Sequence, residues 1–210
     1  MSEVVSDGPV RGFLHPAGDQ NSGKDGLILA HGAGSDARAP LLAAVAETFA
    51  AAGITVLRID LPFRQARPHG PPHPGNAALD RQGIAQAVEW LRARVPGRIF
   101  LGGHSYGGRQ STMLAAEQPQ LADRLLLLSY PLHPPRRPEQ LRTSHFPNLR
   151  APALFVHGTR DPFGSIEDLH AAVALIPAEV SLLPIERAGH ELAPAPRTAE
   201  AALQAFRLIP

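Results

Sequence analysis

The stretch Phe100-Leu-Gly-Gly-His-Ser-Tyr-Gly-Gly-Arg109 constrains the fold of this chain more than any other. Ile99, Phe100 and Leu101 form an apolar run of strand character, and a helix-like run follows Arg109. Between them Gly103-His104-Ser105-Tyr106-Gly107 has G-x-S-x-G spacing. A strand that turns at once into a helix needs little bulk around the turn, and Gly103, Gly107 and Gly108 provide that. Such a turn strains the serine backbone and lifts its hydroxyl above the sheet edge. It also aims the N–H of Tyr106 at the place where an oxyanion would form. Ser105 is therefore the candidate nucleophile.

Taken in order, residues 1–25 hold one short strand, Val10 to His15, and then a polar loop through Pro16, Gly18, Asn21 and Gly23. Gly26 to Ala30 is a compact apolar run of the buried parallel type, ending in a second Gly-rich turn, His31-Gly-Ala-Gly-Ser35. Pro40 opens a helix whose Leu42, Val45, Phe49 and Ala52 share a face, and Gly53 closes it. Ile54 to Ile59 is a β-branched strand with Asp60 at its end. Residues 62–76 are proline-rich and are expected to form neither helix nor central strand. Ile84, Val88, Leu91 and Val95 mark an amphipathic helix before the Ile99–Leu101 strand. Leu125 to Leu128 is another strand, 131–150 a second Pro- and Arg-rich loop, and Ala153 to His157 a further strand. A helix follows with Ser165 as its expected N-cap, then a last strand at Val180 to Ile185 and a closing helix at 197–208.

About six strands alternating with helices imply an α/β fold, a mostly parallel, doubly wound sheet with helices on both faces. The chain shows no internal repeat and no linker, so residues 1–210 are expected to form one domain. Both proline-rich loops, 62–76 and 131–150, follow strands on the same edge as Ser105, where open α/β sheets bind ligands.

Ser105, Asp161 and His190 each follow a strand, in the order Ser, Asp, His. A serine hydroxyl is a weak nucleophile until an imidazole accepts its proton, and a carboxylate fixes that imidazole's tautomer. His190 is the only histidine after the last strand, and Asp161 sits in the loop after the strand preceding the last. Asp60, also at a strand end, is the rival acid. The oxyanion hole is expected from the N–H of Tyr106 with that of Ala33 or Gly34. His31 and His104 are assigned structural hydrogen bonds beside the site, and His157 a packed position. His69, His73, His133 and His145 have irregular spacing that matches no metal-ligand pattern. Phe63, His73, Leu132 and Phe146 of the proline-rich loops imply a shallow apolar acyl site, with His104 facing it. Arg109, a turn into the helix, and Arg160, beside Asp161, are expected to brace the structure rather than read substrate.

Composition excludes several classes. The net charge of +1 gives no pull toward nucleic acid or acidic lipid. Without cysteine there are no disulfides, thiolate metal sites or cysteine nucleophile. No stretch approaches the roughly 18 apolar residues of a membrane span, and the first residues lack a signal-peptide pattern. A cytoplasmic location and a small-molecule substrate are expected, without a cofactor, nucleic acid or membrane partner.

With these residues in view the chain resembles the α/β-hydrolase superfamily over roughly residues 26 to 208. More closely it is similar to a small branch of predicted hydrolases related to dienelactone hydrolases, including testis-expressed and NSL-complex-subunit-like proteins. The likeness rests on His31-Gly-Ala-Gly, Gly102-Gly-His-Ser-Tyr-Gly-Gly-Arg109, Val156-His-Gly-Thr-Arg-Asp-Pro-Phe-Gly164 and Gly189-His-Glu. It departs from the branch at His104, where lysine is frequent, and at Tyr106, where methionine is. The resemblance implies hydrolase chemistry, and with the residues above the reading is a serine hydrolase acting on a small carboxylic ester or thioester, with no large cap domain. A peptidase of the same shape, or a catalytically idle module that binds a partner, are its alternatives.

Overall fold

The computed structural model describes residues 2–18 and 24–209, so the loop expected around Asn21 and Gly23 lies outside the described residues. Eight short runs pair laterally into one sheet: β1 (Glu3–Asp7), β2 (Val10–His15), β3 (Gly26–Ala30), β4 (Thr55–Ile59), β5 (Ile99–His104), β6 (Arg124–Leu128), β7 (Ala153–Gly158) and β8 (Val180–Ile185). Their spatial order is β1-β2-β4-β3-β5-β6-β7-β8. β1, β2 and β4 pair antiparallel, and every pairing from β4 across to β8 is parallel.

Among the described residues six α-helices accompany the strands: α1 (Pro40–Ala51), α2 (Pro62–Ala66), α3 (Ala77–Arg92), α4 (Tyr106–Glu117), α5 (Ile166–Val173) and, after β8, α6 (Ala195–Arg207). Alternate strand residues point to opposite faces of the sheet, which divides the core in two. Leu27, Leu29, Val56, Phe100, Leu126 and Leu154 meet α1 and α6 on one face. Ile28, Leu57, Leu101, Leu125, Leu127 and Phe155 meet α3, α4 and α5 on the other. Phe206 of α6 reaches both Phe49 and Phe100, with ring centroids 5.6 and 5.2 Å away. Fully burying a side chain of that kind stabilises the fold by about 1.5–3 kcal/mol. Gly53 ends α1 at φ 91, where a side chain would be strained. Ser165 caps α5, its Oγ accepting the Asp168 N–H at 3.0 Å.

Two elements depart from the sequence reading. β1 is an additional edge strand whose polar pattern buries only Val5, and it is joined to β2 through Gly8 at φ 55. The 62–76 segment is not free of helix, since Pro62 opens α2 and Pro74 a 3-10 turn at Pro74–Asn76. Proline is tolerated in a first helical turn, where its missing N–H would have no partner anyway. The sheet carries no cap domain among the described residues, and no helix there is long and apolar enough to cross a membrane. The carboxyl ends of β3, β5, β6 and β7 therefore open onto one uncovered edge.

Candidate active site

Ser105 stands between β5 and α4 at φ 51, ψ −114, a conformation that costs a non-glycine residue on the order of 1–3 kcal/mol. Backbone bonds hold it there: its N–H donates to the Leu128 carbonyl and its carbonyl accepts the Arg109 N–H, both at 2.9 Å. Gly107 lets α4 approach β3 closely, because a Cβ there would lie 2.3 Å from the Ala30 carbonyl oxygen. The strain is thus overdetermined by packing, and the hydroxyl faces out of the sheet.

His190 arrives from the loop after β8. The Ser105 hydroxyl donates to its Nε2 at 2.8 Å, and its Nδ1–H donates to Asp161 Oδ2 at 2.8 Å. The second Asp161 oxygen accepts the Phe163 N–H at 2.9 Å. Asp161 lies in the loop after β7, which presses directly against the His190 loop. The Arg160 N–H donates to the Ala188 carbonyl at 2.9 Å, and a Cβ on Gly158 would lie 2.4 Å from that carbonyl oxygen. Glycine at 158 is what lets the two loops meet. Burial alone would push the Asp161 carboxyl up. The hydrogen bond and charge of His190, with the Phe163 N–H, nevertheless hold it below the usual carboxylate range.

The structure thus brings Ser105, Asp161 and His190 into one hydrogen-bonded array and leaves Asp60 outside it. The Asp60 carboxylate accepts the Ala37 N–H at 2.8 Å, bracing the loop after β3. His104 donates from Nε2 to the His190 carbonyl at 2.9 Å, and burial lowers its pKa, so it serves as a neutral donor. His31 accepts the Leu61 N–H on Nε2 at 3.1 Å and donates from Nδ1 to the Gly32 carbonyl at 2.8 Å. His157 is fully buried; its Nε2–H donates to the Gly164 carbonyl at 2.9 Å beneath the Asp161 loop.

A cavity of about 700 Å³ opens over Ser105. Gly32, Ala33, Gly34 and Ser35 line it, with Tyr106, His104, His190 and Phe163. Arg64 holds the glycine turn from behind: its guanidinium donates to the Ser35 carbonyl at 2.8 Å and to the Ala33 carbonyl at 3.2 Å. The Tyr106 ring is anchored below the turn, its hydroxyl donating to the buried Asp80 carboxylate at 2.7 Å. Burial and that hydrogen bond raise the tyrosine pKa, which keeps it neutral.

The expected apolar acyl site does not form from the residues named for it. Phe63, Leu132 and Phe146 are 4%, 0% and 0% exposed and belong to the core, not to the cavity lining. Phe63 packs edge-on against Tyr106, and Phe146 against Tyr130 and Phe155. Large aromatics in a proline-rich segment are worth more buried than exposed, and the short turns at either end fold them inward. His73 lies outside the cavity as well, near the exposed Arg67. Phe163 supplies the apolar wall instead, its ring 4.3 Å from that of His190. Its one signal in the sequence is its place two residues after Asp161. Arg64, Phe163 and Arg142 are site residues that sequence reasoning misses.

Arg160 has an exposed side chain and joins the site only through its backbone. Arg109 departs from expectation, since it lines the cavity. Residues four apart on a helix share a face, and this one stands over the same opening as Ser105. Among the described residues no cluster of three or more histidine or acidic side chains could hold a metal ion. His145 instead contacts Thr112 Oγ1 at 2.8 Å.

The fold agrees with that of known proteins. Residues 23–207 match the model of the α/β-hydrolase domain, and the chain belongs to that family. Solved structures of the same fold include an α/β serine hydrolase homologue from Coxiella burnetii (17% identity, TM-score 0.76, covering 98% of this chain and 97% of that one). A dienelactone hydrolase from Anabaena variabilis is 24% identical with TM-score 0.75, over 99% of this chain and 95% of its own. Est1E from Butyrivibrio proteoclasticus is 18% identical with TM-score 0.75, over 99% and 97%.

Proposed function

We propose that the protein is a serine hydrolase that cleaves small carboxylic esters or thioesters through an acyl-enzyme. The observation that carries this reading is the continuous pair of 2.8 Å hydrogen bonds from Ser105 through His190 to Asp161. In the reaction His190 Nε2 takes the serine proton as Ser105 Oγ attacks the carbonyl carbon. Asp161 keeps Nδ1 protonated and stabilises the imidazolium. The N–H of Tyr106, with that of Ala33 or Gly34, receives the carbonyl oxygen as it becomes an oxyanion. His190 then protonates the leaving alcohol or thiol, activates a water, and a second passage frees the acid.

Arg64 keeps the carbonyls of Ala33 and Ser35 turned away from the cavity, which favours N–H groups facing it. His104 positions the His190 loop. The family membership and the serine hydrolase and dienelactone hydrolase names of similar structures support hydrolysis as the chemistry. The finer kinship, to the small dienelactone-hydrolase-related branch, is proposed on the Gly102–Arg109 and Val156–Gly164 segments. A single-domain, cytoplasmic enzyme that uses no cofactor completes the reading.

A panel of p-nitrophenyl esters of graded acyl length tests it. Turnover of the short members, lost in Ser105→Ala while the melting temperature stays near that of the parent, is the expected result. Equal turnover by the parent and Ser105→Ala would remove the proposal.

A further inference from the structure

One wall of the cavity carries charge that ester hydrolysis by Ser105, His190 and Asp161 does not use. Arg109 and Arg142 both line it. Arg109 stands one helical turn past Ser105 in α4. Arg142 comes from the loop after β6 and is fixed there, its N–H donating to the Leu132 carbonyl at 2.8 Å and its carbonyl accepting the Tyr130 hydroxyl at 2.6 Å. The two arginines therefore line the same space from separately anchored backbones.

Neither has a counter-charge. No ion pair among the described residues includes Arg109 or Arg142. The Arg109 Nε–H is buried without a hydrogen-bond partner, and the Arg142 guanidinium makes one long bond, 3.4 Å, to the Pro131 carbonyl. Glu191 is the one acid among the lining residues, and it is exposed and unpaired. Burial and the charge of Arg109 both lower the Arg142 pKa, Tyr130 opposing them. After burial, the charge of Arg109 also helps to lower His145 to about 4. Two like charges on the lining of one cavity repel each other, and an anion between them relieves that repulsion. A guanidinium fork fits the paired oxygens of a carboxylate or a phosphate.

We propose that Arg109 and Arg142 form an anion subsite beside Ser105, selecting esters that carry a terminal carboxylate or phosphate a few bonds from the scissile carbonyl. The proposal rests on the hydrolase reading for its substrate, though not for the binding of the anion. It replaces the purely structural role expected for Arg109. An uncharged short ester would leave both guanidiniums unmatched.

Monophenyl adipate and phenyl hexanoate share a chain length and differ in the far carboxylate, so the ratio of their kcat/KM values reads the subsite. We expect this ratio to fall by about 10- to 100-fold in Arg142→Gln and in Arg109→Gln, the scale of a lost charge-assisted hydrogen bond. Arg142→Lys, which keeps charge and loses the fork, should fall between. Should the glutamine variants fail to fold, the parent protein still decides. Adipate or hexyl phosphate should inhibit phenyl hexanoate hydrolysis competitively, less so at high salt, where hexanol does not. The stronger inhibitor of the two identifies the anion.

Calorimetry with Ser105→Ala separates the two readings, since adipate or hexyl phosphate should still bind it, and much less to Ser105→Ala carrying Arg142→Gln. Binding with no ester turnover would leave the subsite standing and remove the hydrolase. Turnover of both esters at an unchanged ratio in both glutamine variants, or inhibition by hexanol equal to that by the anions, would overturn the subsite and leave the hydrolase.

Discussion

Asp60 and Asp161 occupy matching places in the fold, each just past the carboxyl end of a parallel strand, and each accepts a backbone N–H. Asp60 follows β4 and bonds Ala37 at 2.8 Å. Asp161 follows β7 and bonds both Phe163 at 2.9 Å and His190 at 2.8 Å. The difference lies in their neighbours. β4 borders β3, whose loop offers only a glycine turn to be braced, whereas β7 borders β8, whose loop carries the imidazole. A carboxylate at a strand end becomes chemical or structural according to what the adjacent strand delivers. Asp60 is nonetheless tied to the same cavity, because the loop it braces continues from the turn that holds Ala33 and Gly34.

The largest expected effect separates the two acids. Asp161→Asn should lower kcat on the order of 10³ to 10⁴ by turning the imidazole to the wrong tautomer. Asp60→Asn should leave it within about tenfold, since its carboxamide oxygen can still accept from Ala37. Steady-state kinetics on a short ester would decide, and the reverse order would reassign the acid. Next comes Gly158→Ala. Its Cβ would meet the Ala188 carbonyl at 2.4 Å, so the loop pair must part and His190 with it. A misplacement near 1 Å is worth about 10² in rate. An unchanged kcat in a folded variant would show that the loops do not need their close contact.

Asp60→Ala should cost stability rather than chemistry. Losing one such hydrogen bond removes about 1 kcal/mol, seen as a melting temperature about 2–4 °C lower in a chain of this size. A fall in kcat beyond that of Asp161→Asn would break the contrast.

The smallest effect concerns pH. Burial, chiefly, lowers the pKa of His15 and of His145 to about 4, so both are neutral in the fold. The unfolded chain takes up their protons near pH 6.5. Their stability is fully present above that value and is lost as pH falls toward 4. Asp161, held below its ordinary range, loses its own contribution only at still lower pH. Melting temperature should therefore decline between pH 6.5 and 4, ahead of the loss carried by Asp161. His145→Gln should shallow the decline; an equally steep curve would place the cause elsewhere.

Much of this was legible in the chain because it depends on backbone. Buried parallel strands must be continuous apolar runs, and a strand-to-helix turn must be flanked by glycine, so Ile99–Gly108 announces both. The loops bearing Asp161 and His190 follow from strand order alone. β1 was hidden because an edge strand with one buried residue leaves almost no alternation to read. The proline-rich segments concealed more. Pro62 reads as a helix breaker yet begins one, and the direction of Phe63, Leu132 and Phe146 is set by packing partners distant in sequence. Phe163 and Arg142 acquire their place beside Ser105 in the same way. Local spacing records where the backbone turns; it does not record which side chains the core takes.

Active-site labelling tests the central claim most directly. A fluorophosphonate reacts with a serine whose oxygen is activated by a neighbouring base. Intact-mass and peptide mass spectrometry should find one adduct on the parent protein, carried by Ser105, slower to form in Asp161→Asn and absent in Ser105→Ala. A folded parent that forms no adduct, or one whose adduct persists unchanged in Ser105→Ala, would contradict the assignment of Ser105 as the nucleophile.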